Sequence, residues 1–91
     1  MNKLPFQYEV VAKAGVRTEL NQKELRSLLI SNLKDLGDDL VVRISSSVKR
    51  ISIHIHTNRV GEVKALISSF SKSGTKPEFE ITDLQKQVEE V

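Results

Sequence analysis

Three patterns in the sequence predict an α+β domain of order βαββαβ, with a four-stranded antiparallel sheet and both helices on one face. Two segments carry apolar residues at helical spacing, Leu25–Leu28–Leu29–Leu33–Leu36 and Val60–Val63–Leu66–Ile67–Phe70. Four others alternate apolar and polar residues as half-buried strands do, most plainly at Ile51, Ile53 and Ile55. The two patterns interleave along only 91 residues, a length that suits one small domain.

The first strand is expected in "FQYEVVAKAG", with Phe6, Tyr8, Val10 and Ala12 in one row and Gln7, Glu9, Val11 and Lys13 in the other. Pro5 suits a strand start. In "NQKELRSLLISNLKDLG", Asn21 is an N-cap with Glu24 in the capping-box position, and Gly37 is placed as the C-terminal stop. Two strands follow, "DLVVRISSS" and "VKRISIHIH", around a turn near Ser46 and Ser47. The next helix takes Asn58 as its N-cap and Gly74 as its end. The last strand, "KPEFEITDL", turns Phe79 and Ile81 inward. The core is expected over about 6–84, and "QKQVEEV" (85–91) is a polar tail able to begin a further helix. Antiparallel packing of these elements gives the ferredoxin-like arrangement with strand order 4-1-3-2.

Composition narrows the function classes. There is no cysteine, so there is no disulfide, no thiolate nucleophile and no cysteine-ligated metal. Fourteen basic and twelve acidic residues give a net charge of +2. They are well mixed, without the basic stripe of a nucleic-acid binder. No window approaches the roughly 18–20 apolar residues of a membrane span, and "MNKLPFQYEV" has no signal-peptide core. A cytoplasmic protein is expected, with no membrane partner.

One candidate site emerges from "ISIHIHT". With Ile51, Ile53 and Ile55 facing the helices, His54 and His56 must face the open side of the sheet. Strand three is expected beside strand one, which sets both imidazoles across from the Gln7–Glu9 end. Two imidazoles and a carboxylate form a ligand set for zinc or iron, so Glu9, His54 and His56 are the candidate metal ligands. A solvated polar face is the commoner reason for such spacing, and Glu9 could equally pair with Lys13, Arg43 or Arg50. No catalytic residue and no cofactor-binding loop is identified.

The stretch "LGDDLVVRISSSVKRISIHIHTNRVGEV" resembles the middle domain of the fatty acid kinase A-subunit family, bacterial proteins also described as dihydroxyacetone-kinase-like or DAK phosphatase-like. Gly37, Asp38, Leu40, Val41 and Val42 match its opening. His54, His56 and Thr57 match its strand, and Gly61 and Val63 its helix start. "FEITDLQKQ" is similar through Ile81, Leu84 and Gln87, and "FQYEV" through Glu9. The resemblance spans about Phe6 to Glu90.

It implies a module lying between an ATP-binding domain, which carries the phosphotransfer, and a domain that meets a fatty-acid-carrying partner. The chain itself has no Gly-rich phosphate loop and no acidic magnesium cluster. The resemblance also implies a cysteine where Gln7 stands, beside both histidines as a zinc triad. Glutamine is a poor zinc ligand, so loss of the metal is expected. Any zinc site remaining would be completed by Glu9, water or a partner chain.

The expected function is therefore a non-catalytic structural or interaction module, not an enzyme, with its open sheet face used for docking or dimerisation. Its partners would be a protein, other domains of a parent chain or a second copy of itself. The alternative is a small-molecule or metal-binding regulatory domain. RNA binding is disfavoured, because the outward positions Arg50, Ser52, His54 and His56 lack the stacking aromatics of RNA-recognition domains.

Overall fold

The computed structural model describes residues 5–16, 18–45, 49–72 and 76–86. Its elements are β1 (Tyr8–Gly15), α1 (Gln22–Leu33), β2 (Gly37–Ile44), β3 (Arg50–Thr57), α2 (Val60–Phe70) and β4 (Glu78–Asp83). Residues 84–86 add a helical turn after β4. One sheet of order β2-β3-β1-β4 holds all four strands, and each neighbouring pair is antiparallel. This is the ferredoxin-like α+β arrangement, and its strand order is the expected one.

The core lies between the sheet and the helices. Val10, Ala12 and Ala14 of β1, Val42 of β2, and Ile51, Ile53 and Ile55 of β3 are buried against Leu25, Leu29 and Leu33 of α1 and Val63 and Ile67 of α2. Each large aliphatic side chain buried this way contributes roughly 1.5–3 kcal/mol. α1 packs over β2 and α2 over β1, where Ala12 and Ala14 leave a helix room to approach. No described helix lies on the opposite face of the sheet. Asn21 caps α1 as expected, its Oδ1 accepting from the Glu24 N–H at 2.9 Å.

Several residues behave differently from their sequence pattern. Leu28 has helical spacing but is 39% exposed, because α1 rests on β2 along the Leu25–Leu29–Leu33 line. Ile81 shares the inner face with its partner Val10, yet is 42% exposed, since β4 is an edge strand that the helices cover only in part, at Phe79. Gly37 does not stop α1. The helix ends at Leu33, and Gly37 opens β2 opposite Thr57. Leu36 therefore packs from the turn that follows the helix.

Asn58 does not cap α2 either. The N-cap is Arg59, with no side-chain hydrogen bond. Asn58 instead reaches across to the start of β1, where its Oδ1 accepts from the Gln7 N–H at 2.6 Å and its Nδ2 donates to the Pro5 carbonyl at 3.1 Å. Phe6 precedes β1, and β2 ends at Ile44. The expected turn at Ser46–Ser47, the stop at Gly74 and the tail beyond Lys86 lie outside the described residues.

Candidate functional site

Alternation along β3 sends its isoleucines into the core and its histidines to the open face. The strand register then selects their neighbours. On one side His56 pairs with Glu9 and His54 with Val11; on the other His56 pairs with Asp38 and His54 with Val41. Gln7 falls one row beyond this cluster. Its Nε2 lies 3.4 Å from Asp83 Oδ2 on β4, so the side chain at this position is engaged away from the imidazoles.

The three residues singled out from the sequence do meet. Glu9 Oε1 accepts from His54 Nε2 at 2.7 Å and lies 3.6 Å from His56 Nε2. One donor atom from each residue falls within 4.8 Å of the others, close enough for a single cation to bridge them. The imidazole centroids are 5.0 Å apart with their planes tilted by 56°. All three side chains are between a quarter and about a third exposed, so the cluster is reachable from solvent. Among the described residues, the ion pairs of Glu9 are with these histidines and not with Lys13, Arg43 or Arg50.

A fourth member, Asp39, was not visible in the sequence pattern. Between Asp38 and Val41 the β2 strand carries two residues against the single Ile55 of β3. This is a β-bulge, a device that re-aims side chains at sheet edges. Asp39 sits in it with a φ of 52°, the left-handed region that aspartate tolerates better than most residues. Its N–H donates to the Asp38 carboxylate at 2.8 Å. The Asp39 carbonyl is 3.0 Å from His54 Nδ1, and its carboxylate is 3.2 Å from His56 Nδ1. The only sequence signal for this is the Gly-Asp-Asp run, whose second aspartate can hold such a backbone.

These contacts set the charge of His54. Burial by itself lowers its pKa. The hydrogen bonds to Glu9 and the Asp39 carbonyl, with the negative charges of Glu9 and Asp39, outweigh that and raise it above the ordinary 6.5. Nδ1 faces a carbonyl and Nε2 a carboxylate, so both nitrogens point at acceptors and the imidazolium is favoured.

Beyond His54 the open face continues as a shallow depression lined by Val11, Val41, Arg43 and Ser52. Val41 is 43% exposed there. Lys13, Ser52 and Arg43 form the next row, with Arg50 after them. No described helix is long and apolar enough to cross a membrane.

The family model for the fatty acid kinase A-subunit-like (FakA-like) middle domain covers residues 5–91. No curated protein and no solved structure matches the chain.

Proposed function

The chain belongs to the FakA-like middle-domain family of fatty acid kinases, and we propose that it serves there as a non-catalytic docking module whose open sheet face pairs with a second copy of itself. Phosphotransfer would then reside in other domains of a cytoplasmic parent protein. The observation that carries this reading is the order of charges on the open face. About the central row Val11–His54–Val41, Lys13 and Glu9 lie two residues to either side on β1, and Arg43 and Asp39 do so on β2. A two-fold axis across the strands would set Lys13 of one copy on Glu9 of the other and Arg43 on Asp39. Val11 and Val41 would meet their own counterparts in the middle. An isologous interface needs this kind of self-complementarity.

Sedimentation of the purified domain tests the reading. The wild type should self-associate, and Lys13→Glu/Arg43→Glu should be monomeric at the same concentration. Each exposed pair contributes only about 0.2–1 kcal/mol. Reversing four symmetry-related pairs should nonetheless weaken the dimer by about tenfold or more. Mixing that variant with Glu9→Lys/Asp39→Lys should restore a heterodimer. Wild-type protein that stays monomeric, or a reversal with no effect, rejects this face as the interface.

The convergence of donor atoms favours a second reading, that Glu9, His54 and His56 hold a divalent cation such as zinc. Imidazole nitrogens and a carboxylate oxygen are the right donors for it. A cation there would draw Glu9 away from the partner's lysine, so this reading is a competitor for the same face. Zinc at about a hundred times its Kd should stabilise metal-stripped protein by roughly 2.7 kcal/mol. His54→Ala/His56→Ala should abolish the shift. The sign of its pH dependence follows from His54. Below its raised pKa the Nε2 proton must leave before a metal can bind, so apparent affinity should increase as pH rises through that pKa. Affinity that is flat or falling over this range would remove His54 from the ligand set.

A further inference from the structure

We propose that the cationic end of the open face, Lys13, Arg43 and Arg50 around Ser52, is a binding site for a phosphate group, taken as the free ion or as the terminus of a monoester. The site rests neither on self-pairing nor on the cation reading above.

Strand register builds it. Lys13 of β1 and Arg43 of β2 flank Ser52 of β3 in one row. Arg50 lies two residues along β3 on the same face, with Gly15 on one side of it and Ser45 on the other. With strands about 4.8 Å apart and about 3.3 Å per residue, the three cationic residues stand on a triangle with sides of roughly 8–10 Å. Side chains as long as theirs can close on one ion from those corners. The residues between them are small, and the three line a single depression with Ser45 and Ser52, of about 420 Å³.

Two observations point to an anion there. Among the described residues, no carboxylate lies within ion-pair distance of any of the three cations, although Glu78 stands opposite Lys13 on β4. Neighbouring Lys49, by contrast, is spent on the Thr18 carbonyl at 2.5 Å. The second is Ser52, half-buried at the centre, whose hydroxyl makes no hydrogen bond to another described residue. Three like charges facing one depression repel each other, and a dianion relieves that repulsion. Two guanidinium groups offer paired N–H donors to phosphate oxygens, the lysine adds a compact charge, and the hydroxyl donates once more. Donors converging from three sides suit a tetrahedral dianion better than a planar carboxylate. The Val11–His54–Val41 row begins directly beside the site, so the organic part of a monoester has apolar ground to lie on.

The test follows ¹⁵N–¹H spectra of the folded domain during titration at fixed pH with sodium phosphate and with phenyl phosphate, each against sodium chloride of equal ionic strength. Both phosphates should give saturable shifts centred on Gly15, Arg43, Arg50 and Ser52, where chloride does not. Phenyl phosphate should bind more tightly and also move Val11 and Val41; tighter binding of inorganic phosphate would assign the site to the free ion. Arg50 is exposed, so Arg50→Gln should fold, and it should weaken phosphate binding about tenfold or more. Lys64→Gln removes the same charge on the helix side of the sheet, above the Phe79 ring, and should change affinity by less than about twofold because distant surface charges are screened. Arg50 takes no part in self-pairing, so Arg50→Gln should sediment as the wild type does. Saturating phosphate, by occupying Lys13 and Arg43, should shift any dimer toward monomer. Shifts that chloride reproduces, or equal losses in Arg50→Gln and Lys64→Gln, reduce the effect to diffuse charge and overturn the site. A domain that binds phosphate in this way yet is monomeric throughout rejects self-pairing alone.

Discussion

Replacing Gly37 by alanine is expected to destabilise the domain by about 3 kcal/mol or more, the upper range of overpacking effects. A Cβ at this position would run into the carbonyl oxygen of His56 and lie 3.0 Å from both the His56 carbonyl carbon and Ile55 Cγ1. Two of these three obstacles are backbone, so no rotamer change relieves them. β2 would have to move away from β3 at the Gly37–Thr57 pair. In a domain this small the melting temperature should drop by more than about 12 °C. The same movement would withdraw Asp39 from the histidines, so His56 should lose its Nδ1 partner in whatever fraction stays folded. Gly61 supplies the opposite case. Nothing lies within 4 Å of a Cβ built there, and it sits on the exposed side of α2. Gly61→Ala should stabilise by roughly 0.5–1 kcal/mol. Thermal melts of the two variants decide the matter. A loss below about 1 kcal/mol at Gly37 would mean that the β2–β3 approach is looser than described.

The contrast between these two glycines reflects which parts of the molecule could be read from the chain. Gly37 follows a leucine-rich helix, and its local context is that of a helix stop. Its actual constraint is a strand packed against it from residues nearly twenty positions later. Periodicity carried the rest of the fold well, because alternation in β1 and β3 and the leucine line of α1 are consequences of burial on one face. It failed at Leu28 and Ile81, where spacing is correct but exposure depends on how far a helix extends over the sheet. Asn58 shows a different limit. Its side chain suits a helix cap, and the fold spends it on the start of β1 instead.

The candidate site divides along the same line. His54, His56 and Glu9 were legible, since two strand periods and one antiparallel pairing bring them together. The position of Gln7 depended on a register shift of two residues, which periodicity leaves open because it keeps the same face, and the structure turns it toward Asp83. Asp39 depended on a bulge, which has no period at all. The residue that contacts both imidazoles therefore entered only with the three-dimensional structure.

Thr57 should prove the second most sensitive position, for a reason that joins the site to the frame. Its side chain is the only buried polar one among the described residues. Its hydroxyl donates to the Leu36 carbonyl at 2.6 Å and accepts from the Arg59 N–H at 2.8 Å. One oxygen thus ties the turn before β2, the end of β3 and the entry to α2, an entry that lacks a side-chain cap of its own. Thr57→Val keeps the shape and removes both bonds. The Leu36 carbonyl loses its partner and the Arg59 N–H is left to solvent. The expected cost is about 2–3 kcal/mol, or about 8 °C or more in melting temperature. Thr57→Ser keeps the hydroxyl and gives up only a methyl group, so it should cost less than the valine variant. Hydrogen exchange should locate the loss, with amides in the first turn of α2 and at the start of β2 becoming less protected while the centre of β1 follows only global stability. A serine variant worse than the valine one would assign Thr57 to packing and leave the hydroxyl without a structural part.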